Sequence, residues 1–231
     1  MKIRIASVLI LLATALGAWS QNIFSSDDNH AFWGARMDID VNIPGDYQTP
    51  IANFPYKSGA GIGIGAIYNL PIIANLYFEP GATFYYDTYR TDMITNSADG
   101  YGDIITTENP TVKKCGFRIP ASIGYRFDIW ENASLSLFTG PEFNIGLSAK
   151  VSSKILDENG IKTNLYENNN VLGSDGAWHR FSASWNIGAQ LLFSKHYVVG
   201  ICGSIGMTDL PENDKITFHE NALRISLGYN F

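Results

Sequence analysis

The chain has 231 residues, only 16% of them charged, and a formal net charge of −6. A charged fraction so far below the roughly 25% of soluble proteins, joined to an acidic balance, excludes the basic face that nucleic-acid binding requires. There are two cysteines, Cys115 and Cys202, and four histidines, none at metal-ligand spacing, so neither a metal nor another cofactor is expected.

At the start of the chain, Lys2 and Arg4 precede an apolar run from Ile5 to Leu16, followed by Gly17-Ala18-Trp19-Ser20. The run is shorter than the ~20 residues a spanning helix needs. It has the form of a secretory signal peptide over residues 1–20, cleaved before Gln21. Residues 21–231 then make one domain. Setting aside Lys2 and Arg4 reduces the 16 basic residues to 14 against 22 acidic ones, a net charge near −8.

Eight segments follow in which apolar and polar residues alternate, the signature of strands with one apolar face. The first, about Ala31 to Asn42, sets Trp33, Met37, Ile39 and Val41 against Arg36, Asp38 and Asp40. The second, about Gly59 to Leu70, sets Ile62, Ile64 and Tyr68 against Gly59, Gly61, Gly63 and Gly65. A glycine-lined inner face leaves room for bulky neighbours inside a narrow barrel. The third, about Leu76 to Tyr89, sets Phe78, Phe84 and Tyr86 against Glu79, Tyr85 and Asp87. The fourth, about Val112 to Phe127, sets Cys115, Phe117 and Ile123 against Lys114, Arg118 and Arg126. The fifth, about Ser134 to Ser148, sets Leu137, Phe143 and Leu147 against Ser136, Glu142 and Asn144. The sixth and seventh run from about Arg180 to Phe193 and from Tyr197 to Asp209. The eighth, Leu223 to Phe231, alternates through Ile225, Leu227 and Tyr229 and ends on an aromatic residue.

The connections sort by length. Those after segments two, four and six are short, around Pro71 to Asn75, Asp128 to Ala133 and Ser194 to His196. Those after one, three, five and seven are long: about Ile43 to Ser58, Arg90 to Thr111, Ala149 to His179 and Leu210 to Glu220. Short turns at one end and long loops at the other are the arrangement of an outer-membrane barrel. The fold expected is all-β: an eight-stranded antiparallel up-and-down transmembrane β-barrel over residues 21–231, in the cell outer membrane. Its aromatics fall near the two ends of the segments, where two interfacial girdles are expected, Trp178 among the outer set. Cys115 is expected to face lipid and Cys202 the lumen, too divergent for a disulfide.

Two sets of motifs carry a resemblance. The last strand, with Tyr229 and Phe231 as its insertion signal, resembles the closing strand of Gram-negative outer-membrane barrels. Arg118-Ile119-Pro120-Ala121-Ser122-Ile123-Gly124-Tyr125-Arg126-Phe127, Gly140-Pro141-Glu142-Phe143-Asn144 and Gly206-Met207-Thr208-Asp209-Leu210 extend it. Together they resemble the PorT-like, or outer membrane protein β-barrel domain, family of small porin-like barrels. That resemblance implies a fold and no catalytic residues. The family's founding member serves protein secretion.

The inward set carries Arg36, Asp38, Asp40, Glu79, Arg118, Glu142 and Arg224. Buried charges must pair, and counting from the turn ends matches Arg118 with Glu142 and Arg224 with Asp38. A lumen this narrow is filled by side chains. The first reading is therefore a non-enzymatic structural, interaction or secretion-associated barrel. Its partners are outer-membrane lipid, the barrel assembly machinery and a protein at the external loops. The inward charges then form a structural network, or alternatively an ion path. The second reading is a small-solute porin or channel. The third is a barrel enzyme built from His179, His219, Asp209, Glu220 and Ser182 at the outer rim.

Overall fold

The computed structural model describes residues 30–231, except 49, 51–52, 55, 92–94, 99–103, 131, 157–161 and 174–176. The segment read as a signal peptide lies outside the described residues, as does Asp157 to Gly160 of the longest connection. Among the described residues twelve strands are formed: β1 (Phe32–Pro44), β2 (Tyr47–Gln48), β3 (Asn53–Phe54), β4 (Tyr56–Ile73), β5 (Leu76–Thr91) and β6 (Thr95–Ala98), then β7 (Ile104–Trp130), β8 (Ala133–Leu156), β9 (Lys162–Asn170), β10 (Phe181–Phe193), β11 (Tyr197–Gly206) and β12 (Glu220–Asn230).

Eight of these form a ring in the order β1, β4, β5, β7, β8, β10, β11, β12 and back to β1, each pair antiparallel. The seam runs from Gly34 opposite Asn230 to Pro44 opposite Glu220. Beyond it the Phe231 amide donates to the Trp33 carbonyl at 2.8 Å. Closure leaves the ring no unpaired edge, the condition for crossing a hydrocarbon layer. The alternation read from the sequence is the in–out alternation of this ring. Ile62, Ile64, Phe84, Phe117, Ile187, Ile201 and Ile225 are exposed on the outside, and Asp40, Tyr85, Arg118 and Glu142 are buried within.

Glycines make the narrow interior possible. A Cβ at Gly61 would lie 1.9 Å from an Asp87 carboxylate oxygen, one at Gly124 2.3 Å from the Tyr77 ring, and one at Gly188 2.4 Å from the Phe138 ring. Each absent side chain on one strand is the space for a large one on its neighbour. Both thiols are free; Cys202 lines the lumen, and Cys115 lies on the outward parity of β7 between the buried Lys114 and Gly116.

At the turn end the three short connections hold as expected, and Ala74, Ser194 and Lys195 take positive φ there. The loop end departs from the sequence reading. β7 and β8 have 27 and 24 residues, about twice what a tilted strand needs to cross a bilayer. Their extensions pair with each other, and β6 and β9 add at either side, giving an outer antiparallel sheet in the order β6, β7, β8, β9. From Lys150 onward β8 is paired to β9 and no longer to β10. Much of the connections after segments three and five is therefore hydrogen-bonded strand, because the ladder that begins in the barrel simply continues.

They also carry an apolar core. Tyr89, Val112, Ala149, Leu172, Trp178, Leu210 and Phe218 are buried together, with Tyr47, Tyr56, Val151 and Val171 packed against them. Phe218 sits 4.8 Å from the Tyr56 ring and 5.6 Å from the Trp178 ring, centroid to centroid. Trp178, expected at a lipid interface, is only 5% exposed within this cluster. The cluster caps the loop end of the barrel.

Candidate functional site in the barrel lumen

Strand parity turns Arg36, Asp38 and Asp40 of β1 inward, with Glu79 and Asp87 of β5, Lys114 and Arg118 of β7, Glu142 of β8, and Glu220 and Arg224 of β12. At the centre, Arg224 grips Glu142 through two parallel bonds of 2.6 and 2.7 Å. Asn186 and Ser184 also donate to Glu142, at 3.0 and 3.3 Å. Arg118 lies 2.7 Å from Asp40 and donates to Asp87 at 2.9 and 3.1 Å. Its guanidinium stacks 4.4 Å from the Tyr85 ring. Arg224 Nε is 3.5 Å from Asp40, which joins the two pairs into one belt. Glu142 is 2% exposed and Asp40 is fully buried.

Both predicted pairings are corrected by this geometry. Arg118 does not pair with Glu142: Glu142 stands opposite Pro120, and Arg118 stands opposite Asn144 and Thr83. Arg224 is opposite Asp40, while Asp38 faces Ser226. Counting residues from turn ends ignores the stagger of strands around a barrel and the register shifts in β7. Arg36 donates to the Ala35 carbonyl, and Glu79 accepts from Asn69 at 3.0 Å. Arg36, Asp38, Glu79, Arg118, Glu142 and Arg224 line one internal cavity, and Asp40 is fully buried. The inward set read from the sequence omitted Asp87, Lys114 and Glu220, although the same alternation marks the first two.

Above the belt, Glu220 accepts from Tyr89 at 2.7 Å and forms an ion pair with Lys114. Below it, Gln190 donates to the Tyr77 hydroxyl across the lumen at 3.0 Å. Two cavities flank the belt, one of about 30 Å³ between it and the cap, the other of about 90 Å³ lined by Arg36, Asp38, Glu79 and Gln190. Arg118 Nη1 and Asn186 Oδ1 are buried without protein partners beside these spaces, and each space is large enough for water.

At the outer rim, His219 Nε2 lies 3.4 Å from Asp209 Oδ1. Glu220 is committed to Lys114 and Tyr89, Ser182 is paired opposite Asn144, and the His179 amide donates to the Leu210 carbonyl. Among the described residues no group of three or more His, Cys, Asp or Glu is arranged to hold a metal. At the cap, burial pushes the Tyr47 and Tyr56 phenols above their ordinary value, with the neighbouring Tyr47 and Glu220 adding to the effect at Tyr56.

A closed antiparallel ring with an apolar outside and a charged, side-chain-filled inside defines a small membrane-spanning β-barrel. No family model and no curated protein matches the sequence. Among solved structures the chain is similar to Ail, the attachment invasion locus protein of Yersinia pestis, with 14% identity over 88% of this chain and all of that one, at a TM-score of 0.38. Neisserial surface protein A is similar at 11% identity, over 88% of this chain and 100% of its own, with a TM-score of 0.41. LpxR from Salmonella typhimurium is similar at 8% identity, over 86% and 100%, with a TM-score of 0.31.

Proposed function

We propose that the protein is an outer-membrane barrel whose lumen is plugged and whose function is exercised by its external sheet and cap, as an interaction or secretion-associated scaffold. The observation that carries this reading is the belt of Asp40, Asp87, Arg118, Glu142 and Arg224 beneath a cap of buried aromatics. An open pore needs a continuous wide lumen, and here ion pairs and then apolar rings cross it. The external strands continue the sheet beyond the apolar band, the usual place for recognition. The motif resemblance to PorT-like barrels is the support for a secretion-associated role. Outer-membrane residence is supported by the exposed apolar band around a closed ring.

Planar-bilayer recording tests the plugged reading. Purified protein is expected to give no stable large conductance steps; reproducible large steps from the wild type overturn it. Removing the β8–β9 extension above Lys150 tests the site of action. The barrel should still show a heat-modifiable gel band, and the protein's interaction or secretion phenotype should be lost. A phenotype untouched by that deletion moves the function into the lumen or the turns.

A further inference from the structure

We infer that the loop end of the barrel's outer wall carries a binding site for phosphate-bearing lipid headgroups, formed by Lys57, Arg90, Lys113 and Lys150. These four lie on the adjacent strands β4, β5, β7 and β8. Lys57 stands directly opposite Arg90, and Lys113 directly opposite Lys150. Arg90 faces Thr111 on its other side, Lys113 faces Thr88, and Lys150 faces Asn170. All four are exposed, and the residues flanking them in the strands, Tyr56, Tyr89, Val112, Lys114 and Ala149, are turned into the core or the cap. The cations therefore form one stripe on the outside of the ring.

Its level and its charge identify the ligand. On each strand the stripe begins where the apolar band ends: after Ile64, Ile62 and Ala60 on β4, after Phe84 and Tyr86 on β5, after Phe117 on β7 and after Leu147 on β8. That is the headgroup level of a lipid layer. Like charges placed directly opposite in a sheet repel, and Lys113 and Lys150 are such a pair in a chain of net charge −6. An anion bound beside them offsets the repulsion, and phosphates on a lipid whose tails lie against the apolar band are anions held at that height.

The test reconstitutes the mature chain in phosphatidylcholine vesicles with and without diphosphoryl lipid A, and measures the lipid A retained after mild detergent extraction. Wild type is expected to retain lipid A selectively, and less as salt is raised. Replacing all four residues by Gln should weaken retention by roughly fivefold per cation, several hundredfold in all. Lys195→Gln with Lys215→Gln, at other exposed sites, should change nothing. Heat-modifiable migration confirms folding; should the quadruple variant not fold, Arg90→Gln and Lys113→Gln singly carry the same fivefold expectation. Equal retention in the variants, or retention insensitive to salt, overturns the site. If inorganic phosphate protects wild type against urea as well as lipid A does, the stripe is a free-anion site and the lipid assignment fails.

Discussion

At the scale of single residues, the belt is where one atom's placement matters most. Glu142 is buried and held by four bonds, two of them from Arg224. Replacing it with Ala strands the Arg224 guanidinium in the lumen. The expected loss is roughly 3 to 5 kcal/mol, the usual consequence of breaking a buried ion pair, read from the urea midpoint in detergent. A double-mutant cycle should show strong coupling of Glu142 to Arg224 and weaker coupling to Arg118, whose carboxylates are Asp40 and Asp87. Gly61 is the second sensitive position. Its Cβ would fall 1.9 Å from Asp87 Oδ1, so Gly61→Ala must displace the carboxylate that receives Arg118. The expected cost is about 1 to 3 kcal/mol, as for other overpacked sites. An unchanged midpoint for Gly61→Ala would show that Asp87 repacks freely.

At the scale of elements, the cap and the barrel wall are separate cores. The wall is held by ring closure and the lumen network, the cap by aromatics from the connections. Trp178→Ala removes a buried ring beside Phe218 and should cost the cap roughly 3 to 5 kcal/mol. The loss should appear as faster proteolysis of the external strands, while the heat-modifiable barrel band stays. Cleavage unchanged from wild type would mean that Trp178 does not hold the cap. The cap also carries a pH signature. Tyr47 and Tyr56 have phenols raised above their ordinary value by burial. A raised acid binds its proton more tightly when folded, so this stabilisation is complete below the unfolded value near 10 and fades as pH rises above it. Protease resistance of the cap should therefore fall at strongly alkaline pH before the barrel itself unfolds, and Tyr47→Phe with Tyr56→Phe should reduce that sensitivity.

At the scale of the whole molecule, closure is the decisive event. β12 must find β1 for the ring to lose its edges, and the aromatic end of the chain lies at that seam, with Phe231 exposed beyond its last bond to Trp33. Deleting Phe231 should lower assembly in cells much more than it changes the urea midpoint of protein refolded in detergent. Normal membrane levels of the shortened chain would show that the seam assembles without this residue.

Local chemistry made the wall legible in the linear chain. A period of two is a property of any extended strand, so Arg36, Asp38, Asp40, Glu79, Arg118, Glu142 and Arg224 could be assigned inward one by one. Short turns and long connections showed the ring's two ends, and glycine faces showed where bulky residues lie. Which inward charge meets which could not be read this way. Partners across a barrel are set by stagger and by register shifts accumulated over neighbouring strands: Glu142 stands two residues out of register with Arg118 and meets Arg224 across the lumen. The polar connections hid their structure for a related reason. Their strands are specified by pairing with β7 and β8, and their core is assembled from Tyr47, Tyr89, Trp178 and Phe218, residues far apart in sequence whose burial exists only once the ring brings them over one mouth. The basic stripe has the same origin: Lys57, Arg90, Lys113 and Lys150 become neighbours only through the register of four strands.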